Sequence, residues 1–128
     1  MARRILVDTD VLIDFLRGNE HAVAFVRKHA DWIMLSPIVV AELFAGARND
    51  AERATLDDFV TLFPVAPMTV QVAKVAGSLR REFGKSHGVG LADAIVAATA
   101  LAEDAELKTI NIKHYPMLKG LKPAYART

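Results

Sequence analysis

Apolar residues fall along this chain in two spacings, unbroken short runs and helical stripes. Ile5-Leu6-Val7 has no polar alternation, which predicts a strand buried on both faces of a parallel sheet, with Asp8 at its carboxyl end. Residues 11–16 predict a short helix stopped at Arg17-Gly18, and Asn19 can cap a second helix striped by Ala22, Val23, Phe25 and Val26. Trp32-Ile33-Met34-Leu35 is a second short strand. Ser36-Pro37 then supplies an N-cap and a proline in the first turn for a helix through about Ala47. Asn49 with Glu52 has capping-box spacing and opens a helix carrying Leu56, Phe59, Val60 and Phe63. Residues 63–67 are proline-bounded and read as a short strand. Thr69 caps a long helix to about Phe83, with Val72, Val75, Ala76 and Leu79 inward and Arg80, Arg81 and Lys85 outward. Residues 85–90 read as a loop from their glycines. Residues 91–101 are apolar except for Asp93 and Thr99, which predicts a helix buried almost all round. Residues 107–110 form another strand, and the basic tail 111–128 has one further edge strand near Ala124-Tyr125. The alternation predicts an α/β fold, a three-layer α/β/α sandwich around a mostly parallel central sheet of four to five short strands.

Composition narrows the function. The 128 residues suit a single domain spanning 1–128, and 52% hydrophobic against 24% charged residues is enough to build a core. Absence of cysteine excludes disulfides and thiolate metal sites. Met1-Ala2-Arg3-Arg4 and the interrupted apolar run after it do not make a signal peptide, and no run approaches the ~20 apolar residues of a membrane span. The expectation is a soluble, cytoplasmic protein. Net charge is only +1, but setting aside three sequestered carboxylates leaves 16 basic against 12 acidic residues, a surface that tolerates a polyanion.

Those carboxylates are Asp8, Glu42 and Asp93, each the lone charge of an apolar run. Taken singly, Asp8 can cap the following helix, Glu42 can sit at the edge of a buried face, and Asp93 can complement a helix dipole. Taken together they pose one problem. A buried unpaired carboxylate costs several kcal/mol or takes up a proton, and no lysine or arginine lies within four residues of Glu42 or Asp93. A shared cation resolves it, and all-oxygen ligation points to Mg²⁺ or Mn²⁺. Asp10 either reaches such a metal through water or caps the helix. Asp14, one turn further, reads as a solvated face residue, and His87 and His114, each without a second histidine at ligand spacing, read as loop or surface residues.

The motifs resemble those of a known family. Asp8-Thr9-Asp10-Val11-Leu12-Ile13-Asp14-Phe15-Leu16 is similar to the opening motif of PIN domains, in particular VapC-type toxins of bacterial toxin–antitoxin pairs. Ser36-Pro37-Ile38-Val39-Val40-Ala41-Glu42-Leu43 resembles the second motif, and the block from Leu91-Ala92-Asp93 to Thr99-Ala100 the third. Thr109-Ile110-Asn111-Ile112-Lys113-His114-Tyr115 resembles the closing block, with Leu118-Lys119-Gly120-Leu121 after it. The resemblance covers nearly the whole chain in order.

It implies a Mg²⁺-dependent endoribonuclease, with Mn²⁺ as substitute, that is inhibited by a cognate antitoxin and forms a homodimer. Asp8, Glu42 and Asp93 match the family's metal-binding triad. The fourth acidic position of many relatives is Asn111 here, which weakens the case for a second metal. Thr9 or Asn111 would orient water or a phosphate oxygen. Arg80, Arg81, Lys85, Lys108, Lys113 and Lys119 are the candidates for RNA-backbone contacts. The substrate implied is single-stranded RNA, cut by an activated water to leave a 5′-phosphate and a 3′-hydroxyl. The alternatives are a catalytically silent PIN-like RNA-binding or scaffold domain and a receiver-like phosphoacceptor domain. An Asp-x-Asp phosphatase needs more chain than is present. A receiver should close a mid-chain strand with an acid, whereas Asp57-Asp58 falls in a helical pattern.

Overall fold

The computed structural model describes residues 3–126. Met1, Ala2, Arg127 and Thr128, hence the start of the segment read as no signal peptide and the end of the tail, lie outside the described residues. Ile5–Val7 forms β1, every residue of it buried, as its lack of alternation requires. It pairs in parallel with β2 (Ile33–Met34) on one side and β3 (Glu106–Lys108) on the other, in the order β2-β1-β3. The sheet therefore has three strands among the described residues, not four to five.

The two missing strands have a local cause. In 63–67 only Leu35 and Val65 form a parallel bridge, with Leu35 N–H on the Pro64 carbonyl and Ala66 N–H on the Leu35 carbonyl. Pro64 and Pro67 have no N–H to extend the ladder. At the opposite edge, the Ala124 N–H donates to the Thr109 carbonyl at 2.9 Å, and the segment goes no further as a strand.

Helices α1 (Thr9–Leu16), α2 (Glu20–His29), α3 (Pro37–Ala45) and α4 (Asp50–Val60) precede the Val65 bridge, and α5 (Val70–His87) and α6 (Leu91–Ala102) follow it. The right-handed rule for parallel crossovers assigns the first four to one face of the sheet and the last two to the other. Helix α1 packs on α2 and α3, α3 on α4, and α5 on α6, while α3 also touches α6. The main core runs from Leu12, Phe25, Val39, Leu56 and Phe59 through the strands to Val96, Ala97 and Ala100 of α6, and a smaller cluster of Val72, Ala76, Val89, Ala94 and Ala98 joins α5 to α6.

The cap signals in the sequence are met. The side chains of Asn19, Ser36, Asn49 and Thr69 each accept a hydrogen bond from a first-turn N–H of α2, α3, α4 and α5. Three boundaries differ from expectation. Helix α3 stops at Ala45 rather than about Ala47. Phe63 is buried just beyond α4, whose last residue is Val60. Helix α5 runs on through Lys85, Ser86 and His87, because its true stop is Gly88 at φ +66°, a left-handed C-cap that the preceding residues do not require. Helix α6 is buried along its middle, while Leu91 and Leu101 at its ends are exposed.

Candidate active site

The strand order reverses between β1 and β3, and in open α/β sheets the crevice outside the carboxyl ends at such a switch point holds the site. Asp8 closes β1 there. Its N–H still belongs to the sheet, donating to the Lys108 carbonyl at 2.9 Å, while its Oδ1 caps α1 by accepting from Thr9 N–H at 2.8 Å. Its Oδ2 accepts from two hydroxyls, Thr109 at 2.9 Å and Tyr115 at 2.6 Å. The Tyr115 hydroxyl also lies 3.3 Å from Oδ1 of Asp93, in the first turn of α6, and Oδ2 of Asp93 is 3.4 Å from His114 Nδ1. Glu42 enters from α3, its Oε1 accepting the Thr9 hydroxyl at 2.7 Å. Three acids from three elements thus meet at one end of the sheet.

Asp10 is a fastener between elements. Its Oδ1 accepts from Val11 N–H at 2.7 Å, and its Oδ2 gathers the N–H groups of Ile110 (2.9 Å) and Asn111 (3.1 Å) and the Thr109 hydroxyl (3.1 Å). It satisfies a first-turn N–H of α1, whose N-cap is Asp8, and holds the 109–111 segment against that helix. Asn111 is exposed at the rim, its backbone fixed by that contact.

Asp8, Asp10 and Asp93 hold protons more tightly than free aspartates do. Burial lifts the pKa of Asp8, against hydrogen bonds from Tyr115, Thr9 and Thr109, and the Asp93 charge adds to the rise. Asp10 is lifted by burial and then by the Asp8 charge, against donors at Ile110, Asn111 and Thr109. For Asp93, burial again leads. His114 and the Tyr115 hydroxyl oppose it, and the charges of Glu42 and Asp10 reinforce it. The phenol of Tyr115 is pushed far up by burial first and the Asp8 charge second, so it stays a neutral donor.

Two expectations are corrected. Glu42 is exposed, because α3 buries only Val39 and Leu43 fully and leaves Ala41, Glu42 and Ala45 toward solvent, so burial does not force it to seek a cation. Asp14 is no solvated face residue. It is only 7% exposed, and its Oδ2 accepts the Tyr125 hydroxyl at 2.8 Å across 111 positions of sequence.

The remaining candidates are more scattered. Arg80, Arg81 and Lys85 are exposed along α5, and Lys113 and Lys119 are exposed in the closing segment. Lys108 is half-buried and pairs with Glu106 at 2.7 Å. His87 ends α5 on the surface beside Ser86, while His114 is a surface residue that nonetheless contacts Asp93. Sequence reasoning did not single out Tyr115 or Thr109. Thr109 had a signal, since it follows β3 as Asp8 follows β1. Tyr115 had none, its contact with Asp8 spanning 107 residues.

The donor set is carboxylate oxygen with one imidazole at its edge and no sulfur, which fits a hard divalent cation. Among the described residues, no group of three Asp, Glu or His side chains stands ready to hold a metal ion. Hydroxyls of Tyr115, Thr109 and Thr9 occupy carboxylate oxygens instead. A receiver-like phosphoacceptor finds no support here, because Met34-Leu35-Ser36 closes β2 with no acid and Asp57 and Asp58 are exposed on α4.

A parallel sheet with acids converging at its switch point fits the family that the motifs resemble. The chain belongs to the PIN domain family, whose model matches residues 5–111. Among characterised relatives it is 40% identical over 126 residues to Ribonuclease VapC10 of Mycobacterium tuberculosis, covering 95% of this chain and 93% of that protein. Ribonuclease VapC19 of the same organism is 36% identical over 124 residues, covering 94% of this chain and 98% of the relative. A chain of the solved toxin–antitoxin complex from Klebsiella pneumoniae superposes with a TM-score of 0.79 at 27% identity, covering 94% of this chain and 98% of its own length.

Proposed function

We propose that this chain is the endoribonuclease toxin of a toxin–antitoxin pair, a cytoplasmic single-domain enzyme that works as a homodimer and is held inactive by its cognate antitoxin. The observation that carries this reading is the convergence of Asp8, Glu42 and Asp93, from β1, α3 and α6, in one mutually repelling cluster. Such a cluster is favourable when a cation completes it. The names of the ribonuclease relatives and of the toxin–antitoxin complex support the substrate and partner. Among the described residues no helix is long and apolar enough to cross a membrane.

Asp8, Glu42 and Asp93 would hold Mg²⁺, with Mn²⁺ as substitute. When bound, the ion supplies charge neutralisation at the scissile phosphate and acidifies water. The chain's own residues do the rest. Asp8 is locked between sheet and helix, so the cluster has a fixed centre. The Thr9 hydroxyl orients Glu42 toward that centre. The Asp10 clamp presents Asn111 at the rim, where its amide can align a phosphate oxygen or a water. Exposed Arg80, Arg81, Lys85, Lys113 and Lys119, and Lys108 once freed from Glu106, offer contacts to the RNA backbone without reading its sequence.

Cleavage of single-stranded RNA should require Mg²⁺, stop with EDTA, and fall more than about a hundredfold in Asp8→Asn, since stabilisation of the developing charge is worth several kcal/mol. Metal-independent cleavage, or full activity in the variant, refutes the mechanism. RNA binding with no cleavage under any metal points to the silent scaffold. Light scattering at micromolar concentration should report a dimer.

A further inference from the structure

We infer that Tyr115 is the positioning residue that holds the carboxylates of Asp8 and Asp93 together, an inference that rests on the metal centre proposed above. The geometry is specific. A single phenolic oxygen lies 2.6 Å from Asp8 Oδ2 and 3.3 Å from Asp93 Oδ1, so two acids from different elements are within two hydrogen-bond lengths of each other. Thr109 also donates to Asp8 Oδ2, yet none of its hydrogen bonds reaches Asp93. Among the described residues only the tyrosine bridges the pair.

The ring is well anchored for this. It follows the short 3-10 turn Ile112–His114, and its N–H donates to the Ile112 carbonyl while its own carbonyl accepts from Leu118 N–H, both at 3.1 Å. The ring is 1% exposed and belongs to the main core, so its hydroxyl cannot swing away without breaking packing. A hydroxyl held by packing and aimed at two carboxylates sets their rotamers before any ion arrives. Outer-shell partners of metal ligands act in this way, and their loss typically weakens metal affinity ~10–100-fold. Phenylalanine would keep the ring and delete only the bridge.

The test is calorimetric titration of antitoxin-free protein with Mn²⁺, comparing wild type, Tyr115→Phe and Thr109→Val, with metal-free melting temperatures read in parallel. The expected result is affinity at least about tenfold weaker in Tyr115→Phe and less weakened in Thr109→Val, which loses a donor to Asp8 but no bridge. Unchanged or tighter binding by Tyr115→Phe overturns the inference while leaving the metal centre intact. Tighter binding would mean that the hydroxyl merely competes with the ion for Asp8. A lowered melting temperature with unchanged affinity also overturns it, since it marks a packing role alone. No binding by wild type removes the metal centre and this inference with it.

A second measurement does not depend on Tyr115→Phe folding. The chain has two tyrosines, so in ring-labelled wild type saturating Mg²⁺ should shift the NMR signal of Tyr115 and leave that of Tyr125, assigned by Tyr125→Phe, in place. An unmoved Tyr115 signal counts against the bridge.

Discussion

Asp8 was legible from sequence because a charge ending a fully apolar strand has only one place to go, and the strand's burial is set by its own residues. Glu42 was found for a wrong reason. Its neighbours are apolar, yet α3 leaves that part of its surface open, and which part of a helix is covered depends on elements distant in sequence. The roles of Tyr115 and Asp14 could not be read, since their partners lie 107 and 111 positions away. The site's electrostatics lead to a pH prediction for metal-free protein. Asp8, Asp10 and Asp93 all bind protons more tightly in the fold than in the unfolded chain. The folded state therefore carries more protons once pH exceeds the ordinary carboxylate range. The stability these groups contribute is full below that range and is lost as pH rises through their raised values. In chelator, the melting temperature should climb as pH falls through the raised values toward the ordinary carboxylate range, and Asp8→Asn should flatten the slope. A melting temperature that drops over this interval contradicts the cluster.

Helix starts were the most readable elements, because a cap is a contact between residues two or three apart. Ser36 shows what such a contact does for the site. Its Oγ accepts from Ile38 N–H at 3.3 Å, and it is completely buried at the start of the helix that carries Glu42. Asn49 makes the equivalent contact with Glu52 N–H at 2.9 Å on α4, which contributes no acid to the cluster. Ser36→Ala and Asn49→Ala should each cost ~1 kcal/mol, a few degrees of melting temperature in a chain of this size. Only Ser36→Ala should also slow RNA cleavage, by loosening the helix beneath Glu42. Equal cleavage by both variants, after correction for folded fraction, would show that α3 is held by packing alone. The sheet was less readable. Apolar runs and prolines marked where strands could lie, but strand length depends on ladder partners that a local pattern does not name.

At the scale of the whole molecule, the fold is closed by contacts between its two ends. Strand β1 pairs with β3 across about a hundred residues, with Ile5 opposite Glu106, and the closing segment then returns to α1 and α2. There the Tyr125 hydroxyl donates to Asp14 at 2.8 Å, and its ring lies beside those of His21 and Phe25, with centroids 6.2 Å away in each case. Contacts of such separation form late, after the loop entropy of nearly the whole chain has been overcome. They also tie the segment bearing Thr109, Asn111 and Tyr115 to the helix that begins at Asp8 and Asp10, so the ends and the site are stabilised together. Tyr125→Phe and Asp14→Ala should each lower the free energy of unfolding in urea by ~1–3 kcal/mol, the range for a hydrogen bond to a charged group. The double variant should lose clearly less than the two single losses combined, because after the first substitution the second has less of the contact left to break. Strict additivity would show that the pair does not act as a unit and that the closing segment is held by its ring contacts instead. Faster hydrogen exchange at the Ala124 amide in Tyr125→Phe, with β1 unaffected, would place the loosening at the tail's own contact with Thr109.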